Sequence, residues 1–358
     1  MHKFTFQLTT HPDDQRPVYI AGNFNNWEVQ DENARMTEHG NGRYSLDVSG
    51  HLNFPLEYKY TRGDWSQVEM DEYGNPSDNH IVAKPVDVIM DKVHFWQLNG
   101  QVNYPPYFPQ IEVISDKFEI PQLIKTRRIA ALLPHDYDKT DKRYPVLYLQ
   151  DGQNLFDDYA PFGSWEVDKK LALMQRKGIG DIIVIAIDHA KEERIEEYNP
   201  GGNAKLGKGQ GREYVRFLAE TLKPFVDKNF RTKPDRLNTG IGGSSMGGLI
   251  SIWAGFMYPE KFSKLMIFSP ALWVNPNIHF HAMRFTMTLH SRVYVYAGGA
   301  ESKNMLPNVQ RFKDALLKQE LTEPDLDIEL SIDPNGQHTE SQWGKEFPKA
   351  IDWLYFKS

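Results

Sequence analysis

No cysteine occurs among the 358 residues. The chain therefore forms no disulfide, offers no thiolate to a metal and holds no cysteine nucleophile, so any chemistry rests on oxygen and imidazole groups. Long apolar runs are missing as well: nowhere do the roughly 18 consecutive apolar residues of a membrane span occur, and the opening MHKFTFQLTT lacks the apolar stretch of a secretory signal. A cytoplasmic location and no membrane partner are expected. Excess positive charge is also lacking. A formal charge of −7 gives an average field that repels nucleic acid, which is not expected as a partner. No His/Asp/Glu grouping has metal-ligand spacing, so neither a metal nor another cofactor is expected.

What is present suffices for two cores. Residues 1–98 are short alternating runs separated by turn clusters: KFTFQLT, VYIAGNF, RYSLDV, LEYKYTRG and HIVAKPVDVIM, the pattern of an all-β, immunoglobulin-like sandwich. Residues 99–110, NGQVNYPPYFPQ, are too rich in proline to continue a sheet or helix and read as a linker. From 111 to 358 extended runs alternate with helical patterns, as in a mainly parallel sheet covered by helices. There IEVISDKFEI and TRRIAALLP read as an antiparallel pair, and PVLYLQDG, DIIVIAIDH, KLMIFSP, SRVYVYAGG and IELSID as further strands. In GREYVRFLAETLKPFVDKNF a helical stripe runs through Tyr214, Phe217, Leu218, Leu222 and Phe225.

The sharpest signal is Gly243-Ser244-Ser245-Met246-Gly247, a G-x-S-x-G pentapeptide with a strand-like run before it and a helical run after it. Such a strand-to-helix turn lifts one serine into the open and needs small residues two before and two after it. Ser245 satisfies this. Ser244 does not, because Met246 would stand where the second glycine is required.

A serine hydroxyl needs a base to take its proton, and the base needs an acid to fix its tautomer. In an α/β-hydrolase the order is serine, acid, histidine. Of His279, His281, His290 and His338, the last follows the final strand in DPNGQHTES, at the carboxyl edge of the sheet, and is the expected base. The expected acid is Glu301, just past two glycines at the end of SRVYVYAGGAES. Asp333 competes but shares the loop of His338. Two N–H groups should hold the oxyanion, one from Met246 and one from Gln153 in YLQDGQNLFD, where Gly152 allows close approach.

These residues resemble an established group. From about 112 to 358 the chain resembles the Putative esterase family of α/β hydrolases, through PVLYLQDGQNLFD, EEYNP, FVDKNFRT, GIGGSSMGG, SPALW, the glutamate after VYVYAGG, and HTESQW. The family includes enterochelin-type siderophore esterases, feruloyl and acetyl xylan esterases, and mycolyltransferases. The resemblance implies ester chemistry with Ser245 as nucleophile, His338 as base and the Gln153 region as oxyanion donor; the acid varies within the family. It points to an acyl ester of a carbohydrate, feruloyl or acetyl, or else to a siderophore trilactone. A catalytically inactive glycan-binding or scaffold protein is the reading from another class, and self-association is open.

Trp165, Trp273 and Tyr198 follow strands on the side where open α/β sheets bind ligands and are candidate substrate walls. The loop YNPGGNAKLGKGQGR carries Lys205, Lys208 and Arg212, able to face an anionic group. Its Gly202, Gly207 and Lys208 have P-loop spacing, yet Gly209 stands where a magnesium-binding Ser or Thr must be, so no nucleotide is expected. The first domain resembles starch- and glycogen-binding modules through VYIAGNFNNWEV and LEYKYTRGDWSQVEMDEYGN. That resemblance implies a sugar stacked on Trp65, with Lys59 and Asn79 as polar neighbours, whereas Trp27 is expected to pack in its turn.

Overall fold

The structure is a computed structural model of the chain; it describes residues 2–357 apart from 13, 51–52, 99–104, 157–159, 161, 202–205, 276, 285–288 and 319–324. The chain divides into two compact units, Met1–Pro105 and Pro106–Ser358. Of the expected linker 99–110, residues 99–104 lie outside the described residues.

In the second unit eight strands form one sheet: β1 Gln110–Ile120, β2 Lys125–Leu133, β3 Val146–Gln150, β4 Ile183–Ile187, β5 Thr239–Ser244, β6 Lys264–Phe268, β7 Ser291–Gly298 and β8 Leu326–Asp333. Their order is β1-β2-β4-β3-β5-β6-β7-β8. β1 pairs antiparallel with β2, and β2 antiparallel with β4; every later pairing is parallel. Continuous apolar runs make the central strands because both faces are covered by helices. Alternation along them feeds two cores: Val146, Tyr148, Ile183 and Ile185 point to one face, Leu147, Leu149, Val184 and Ala186 to the other.

The first face is covered by Tyr214, Phe217, Leu218 and Leu222 of a helical segment between 211 and 229, by Leu249, Ile250 and Ile252 of the helix Met246–Met257, and by Val309 and Phe312 of the helix Met305–Leu317. Phe225, read as part of the same stripe, is instead 37% exposed, its ring edge against Phe118; a π-helical turn at Phe217–Leu222 shifts the phase that the 3.6-residue period assumes. Val167 and Met174 of the helix Val167–Arg176, with Phe347 and Ile351 of the helix Glu340–Ile351, cover the second face. This is an α/β-hydrolase sheet, with the carboxyl ends of β3, β5, β6, β7 and β8 on one edge.

The described residues of the first unit form short strands, with one-turn 3-10 helices at Glu32–Ala34 and Trp65–Gln67. Thr37–Glu38, Arg43–Gly50, His2–Thr9 and Val88–Lys92 form one sheet; Tyr19–Gly22, Leu56–Thr61 and His80–Val82 form a second; Glu69–Met70 pairs with Phe95–Trp96. Phe6, Leu8, Ile20, Tyr58, Tyr60 and Trp96 make its core. The run HIVAKPVDVIM, read as one strand, is two strands in different sheets. Pro85 lies in the break, where its missing N–H removes a ladder bond.

One partly buried polar knot ties the first unit together. Asp91 Oδ2 accepts from the hydroxyls of Tyr58 and Tyr60, both at 2.7 Å, and Glu69 Oε1 accepts from the Tyr60 N–H at 2.8 Å. His80 lies flat on Tyr58 with centroids 5.0 Å apart, its Nε2 2.9 Å from Glu69 Oε2 and its Nδ1 3.6 Å from Asp91 Oδ1. Burial alone would depress this imidazole, but the Glu69 hydrogen bond and the charges of Glu69 and Asp91 outweigh it, so its pKa is raised. A raised folded-state value stabilises the fold fully below the unfolded pKa of about 6.5, and that contribution is lost as pH rises through the folded value. Urea unfolding of the whole protein followed between pH 5.5 and 8.5 is expected to show stability falling with rising pH in that window. The same series on His80→Gln should lose that slope.

Candidate active site

β5 ends at Ser244 and the helix begins at Met246, leaving Ser245 alone at the turn with φ 54° and ψ −117°. A side chain costs energy at positive φ, and such strain persists only where neighbours fix it. Here the Ser245 N–H donates to the Phe268 carbonyl at 2.9 Å, and its own carbonyl accepts from Ala271 N at 3.0 Å and Leu249 N at 3.1 Å. β6 and the residues after it thus clamp the turn.

The flanking glycines are set by close approach. A Cβ on Gly243 would lie 2.9 Å from the Gly247 carbonyl carbon and 3.0 Å from Gln150 Cβ; one on Gly247 would lie 2.8 Å from Asp151 Oδ2 and 3.0 Å from Gln150 Cβ. The end of β3 therefore presses directly on the turn. Met246 opens the helix, and its N–H belongs to the first turn, where no intrahelical acceptor exists.

Glu301 and His338 leave the same edge of the sheet, after β7 and β8, and are brought together. His338 Nδ1 lies 2.6 Å from Glu301 Oε2, with the Glu301 side chain 2% exposed and that of His338 41% exposed. Glu301 Oε1 accepts from the Gly298 N–H at 2.7 Å and the Ser269 hydroxyl at 2.6 Å. Ser269 is itself buried and at positive φ, and its Oγ receives the indole N–H of Trp343 at 2.9 Å. The Trp343 ring meets the His338 ring edge-on at 4.8 Å. Ser269 and Trp343 were not legible beforehand; their signal is only that SPALW and HTESQW flank the candidate residues.

Asp333, the competing acid, is engaged elsewhere, accepting from Asn335 N and from the Gln342 side-chain amide. His290 lies beside Asp327 at 3.1 Å, near the amino ends of β7 and β8, and the His281 ring packs on Trp253.

Gln153 lies in the short turn Gly152–Asn154 after β3, and its side chain is clamped to the backbone of His189, donating to the carbonyl at 3.1 Å and accepting from the N–H at 2.9 Å. Asn154 donates to Glu340 at 3.3 Å, two residues beyond His338. Ser245, Met246, Gln153, Glu301 and His338 therefore all stand at the carboxyl edge.

The aromatic walls need correction. Trp165 is 2% exposed, stacked on Phe268 with centroids 5.3 Å apart and packed on Trp343. Tyr198 is 0% exposed, against Tyr214 and under the Arg194 guanidinium. Both are core side chains, because an aromatic after a strand fills the core as readily as a pocket. Trp273 differs, being 64% exposed in the turn Leu272–Val274 that follows Ala271.

Of the basic loop, Gly202 and Lys205 lie outside the described residues; Lys208 and Arg212 border a cavity of about 320 Å³ with Trp253, Asn275 and His281. In the first unit Trp65 is 49% exposed and its ring lies 6.4 Å from that of Trp27, so Trp27 joins Trp65 rather than only packing in its turn. Lys59 is committed to the Ser77 carbonyl, and Asn79 directly precedes the strand His80–Val82, whose His80 is registered against Tyr58. Among the described residues no cluster of three or more His, Asp or Glu is placed to hold a metal, and no helix is long and apolar enough to cross a membrane.

Residues 121–354 match the model of the Putative esterase family, and the chain belongs to that family. It is thereby an esterase by class. It is 26% identical over 248 residues to the uncharacterized protein YbbA of Bacillus subtilis, covering 65% of this chain and 94% of that one. It is 33% identical over 140 residues to the endo-1,4-beta-xylanase/feruloyl esterase of Xylanibacter ruminicola, covering 36% of this chain and 18% of that protein. The enterobactin esterase of Shigella flexneri, solved in the presence of enterobactin, shares the fold with a TM-score of 0.56 at 16% identity, over 99% of this chain and 92% of that chain.

Ser269→Ala would leave Glu301 Oε1 short of one donor and the buried Trp343 indole without its acceptor. Each unsatisfied buried group costs about 1–3 kcal/mol. Urea unfolding is expected to show a destabilisation in that range, whereas an unchanged midpoint would mean that neither hydrogen bond matters to the fold.

Proposed function

We propose that the protein is a serine carboxylic-ester hydrolase working through an acyl-enzyme. Ser245 attacks the ester carbonyl, His338 takes the hydroxyl proton and returns it to the leaving alcohol, and Glu301 holds His338 in the tautomer that leaves Nε2 free to act as base. The N–H groups of Met246 and Gln153 receive the oxyanion, and water then releases the acid. The observation that carries this reading is the 2.6 Å contact between His338 Nδ1 and a Glu301 carboxylate that is 2% exposed and held by two further donors. Packing alone does not call for a buried carboxylate aimed at an exposed imidazole beside a strained serine.

The substrate favoured is an acyl ester on a carbohydrate, feruloyl or acetyl. The exposed Trp65 with Trp27 beside it offers the flat apolar surface on which sugar C–H groups stack, in a first unit read as a glycan-binding sandwich. Trp273 is the aromatic available near the turn. A second reading, a siderophore trilactone, is favoured by the extent of the likeness to the Shigella flexneri enterobactin esterase, which reaches over both units.

The test is hydrolysis of p-nitrophenyl acetate, methyl ferulate, an acetylated xylo-oligosaccharide and a ferric catecholate trilactone by the wild type and by Ser245→Ala. Cleavage of one natural-type ester, with loss of about 10⁶-fold in kcat in the variant, is expected and names the branch. A variant as active as the wild type would overturn the assignment of Ser245. Trp65→Ala is expected to abolish retention on a xylan or starch column while leaving hydrolysis of p-nitrophenyl acetate unchanged.

A further inference from the structure

The turn that carries Gln153 is braced by a charged pair that plays no part in the chemistry so far assigned. Asp151 leaves β3 in the left-handed region, with φ 60° and ψ 49°. A residue with a side chain holds that conformation only where its surroundings impose it. The Asp151 residue is 5% exposed, and its two carboxylate oxygens accept from Arg194 Nε at 2.6 Å and Nη2 at 2.7 Å. Both ends of this pair are anchored. Arg194 begins the helix Arg194–Tyr198, and its guanidinium lies 5.2 Å from the ring centre of the fully buried Tyr198. Burial opposes the charge on Arg194, but the Asp151 carboxylate more than offsets it and holds the guanidinium protonated.

The pair touches the site from two directions. Asp151 Oδ2 is the atom that a Cβ on Gly247 would meet at 2.8 Å, so the carboxylate abuts the serine turn itself. Along the chain, the Gln153 N–H lies on the second peptide plane after Asp151, so a change in ψ at Asp151 swings that donor. A bidentate Arg–carboxylate contact fixes direction as well as distance. Donors to a developing oxyanion are effective because they are already in place when charge forms.

We propose that the Asp151–Arg194 ion pair is a positioning element of the oxyanion hole: it locks the left-handed turn after β3 and thereby sets the Gln153 N–H against Ser245. Neither residue touches the reacting atoms. The proposal rests on the serine-esterase reading above. It explains why a buried carboxylate and a guanidinium from two separate segments meet at the turn that supplies the second of the two backbone donors.

The experiment compares wild type, Asp151→Asn, Arg194→Gln and Arg194→Lys with p-nitrophenyl acetate. It measures kcat per active site by burst titration, KM and Tm. A displaced oxyanion donor lowers kcat by about 10²-fold in Asp151→Asn and Arg194→Gln, with KM changed by no more than about twofold. Arg194→Lys, which keeps the charge but loses the fork, is expected to fall between Arg194→Gln and wild type. A pair that only supported the fold would lower Tm and the titratable fraction while leaving kcat per titrated site at the wild-type value, and that result overturns the proposal. If Asp151→Asn does not accumulate folded, the Arg194 variants decide alone, since that side chain is 22% exposed. A wild type inert toward the ester would overturn the esterase reading and this proposal with it; an active wild type matched by all three variants overturns this proposal only.

Discussion

The site depends on how closely the end of β3 approaches the turn after β5. Gln150 and Asp151 sit where side chains on Gly243 and Gly247 would have to go. Because β3 and β5 are neighbours in the parallel sheet, this contact joins the serine turn to the turn that bears Gln153. Both positive-φ residues at this contact, Ser245 and Asp151, are held by bonds from outside their own turns: Phe268 and Ala271 around the first, Arg194 against the second. The strain is therefore paid for by packing among β3, β5 and β6 rather than by local sequence preference.

The other half of the site hangs on a buried carboxylate. Glu301 is nearly inaccessible, yet each of its oxygens has a defined partner: Oε1 meets Ser269 and Gly298, and Oε2 meets His338. A buried ionised carboxylate is tolerated when such donors replace water. Ser269 follows β6 directly and Trp343 lies on the helix after His338, so the hydrogen-bonded chain Trp343–Ser269–Glu301–His338 draws on three segments. The imidazole remains the exposed member, as the base proposed for His338 has to be to reach a substrate.

Much of the α/β-hydrolase unit was legible because its signals are local and repeated. Apolar runs mark the central strands, and Gly243 with Gly247 brackets Ser245. The positions of Glu301 and His338 follow from strand order: Ser245 leaves the sheet after β5, Glu301 after β7 and His338 after β8. What was not legible depends on direction rather than residue type. Trp165 and Tyr198 read as cavity walls, but their rings turn inward onto Phe268 and Tyr214. Asp151 and Arg194 are unremarked charges in the chain until β3 and the segment after β4 bring them within 2.6 Å. Likewise HIVAKPVDVIM carries one alternation through a proline and gives no sign that its halves enter different sheets.

Ser245, and no other residue, is proposed as the activated nucleophile. The most direct measurement is to treat the protein with a fluorophosphonate and locate the adduct by peptide mass spectrometry, alongside His338→Ala under the same conditions. One adduct on Ser245 is expected in the wild type, with a strongly slowed reaction in the His338 variant. An adduct on a different residue, or labelling of Ser245 that proceeds equally fast without His338, would contradict it.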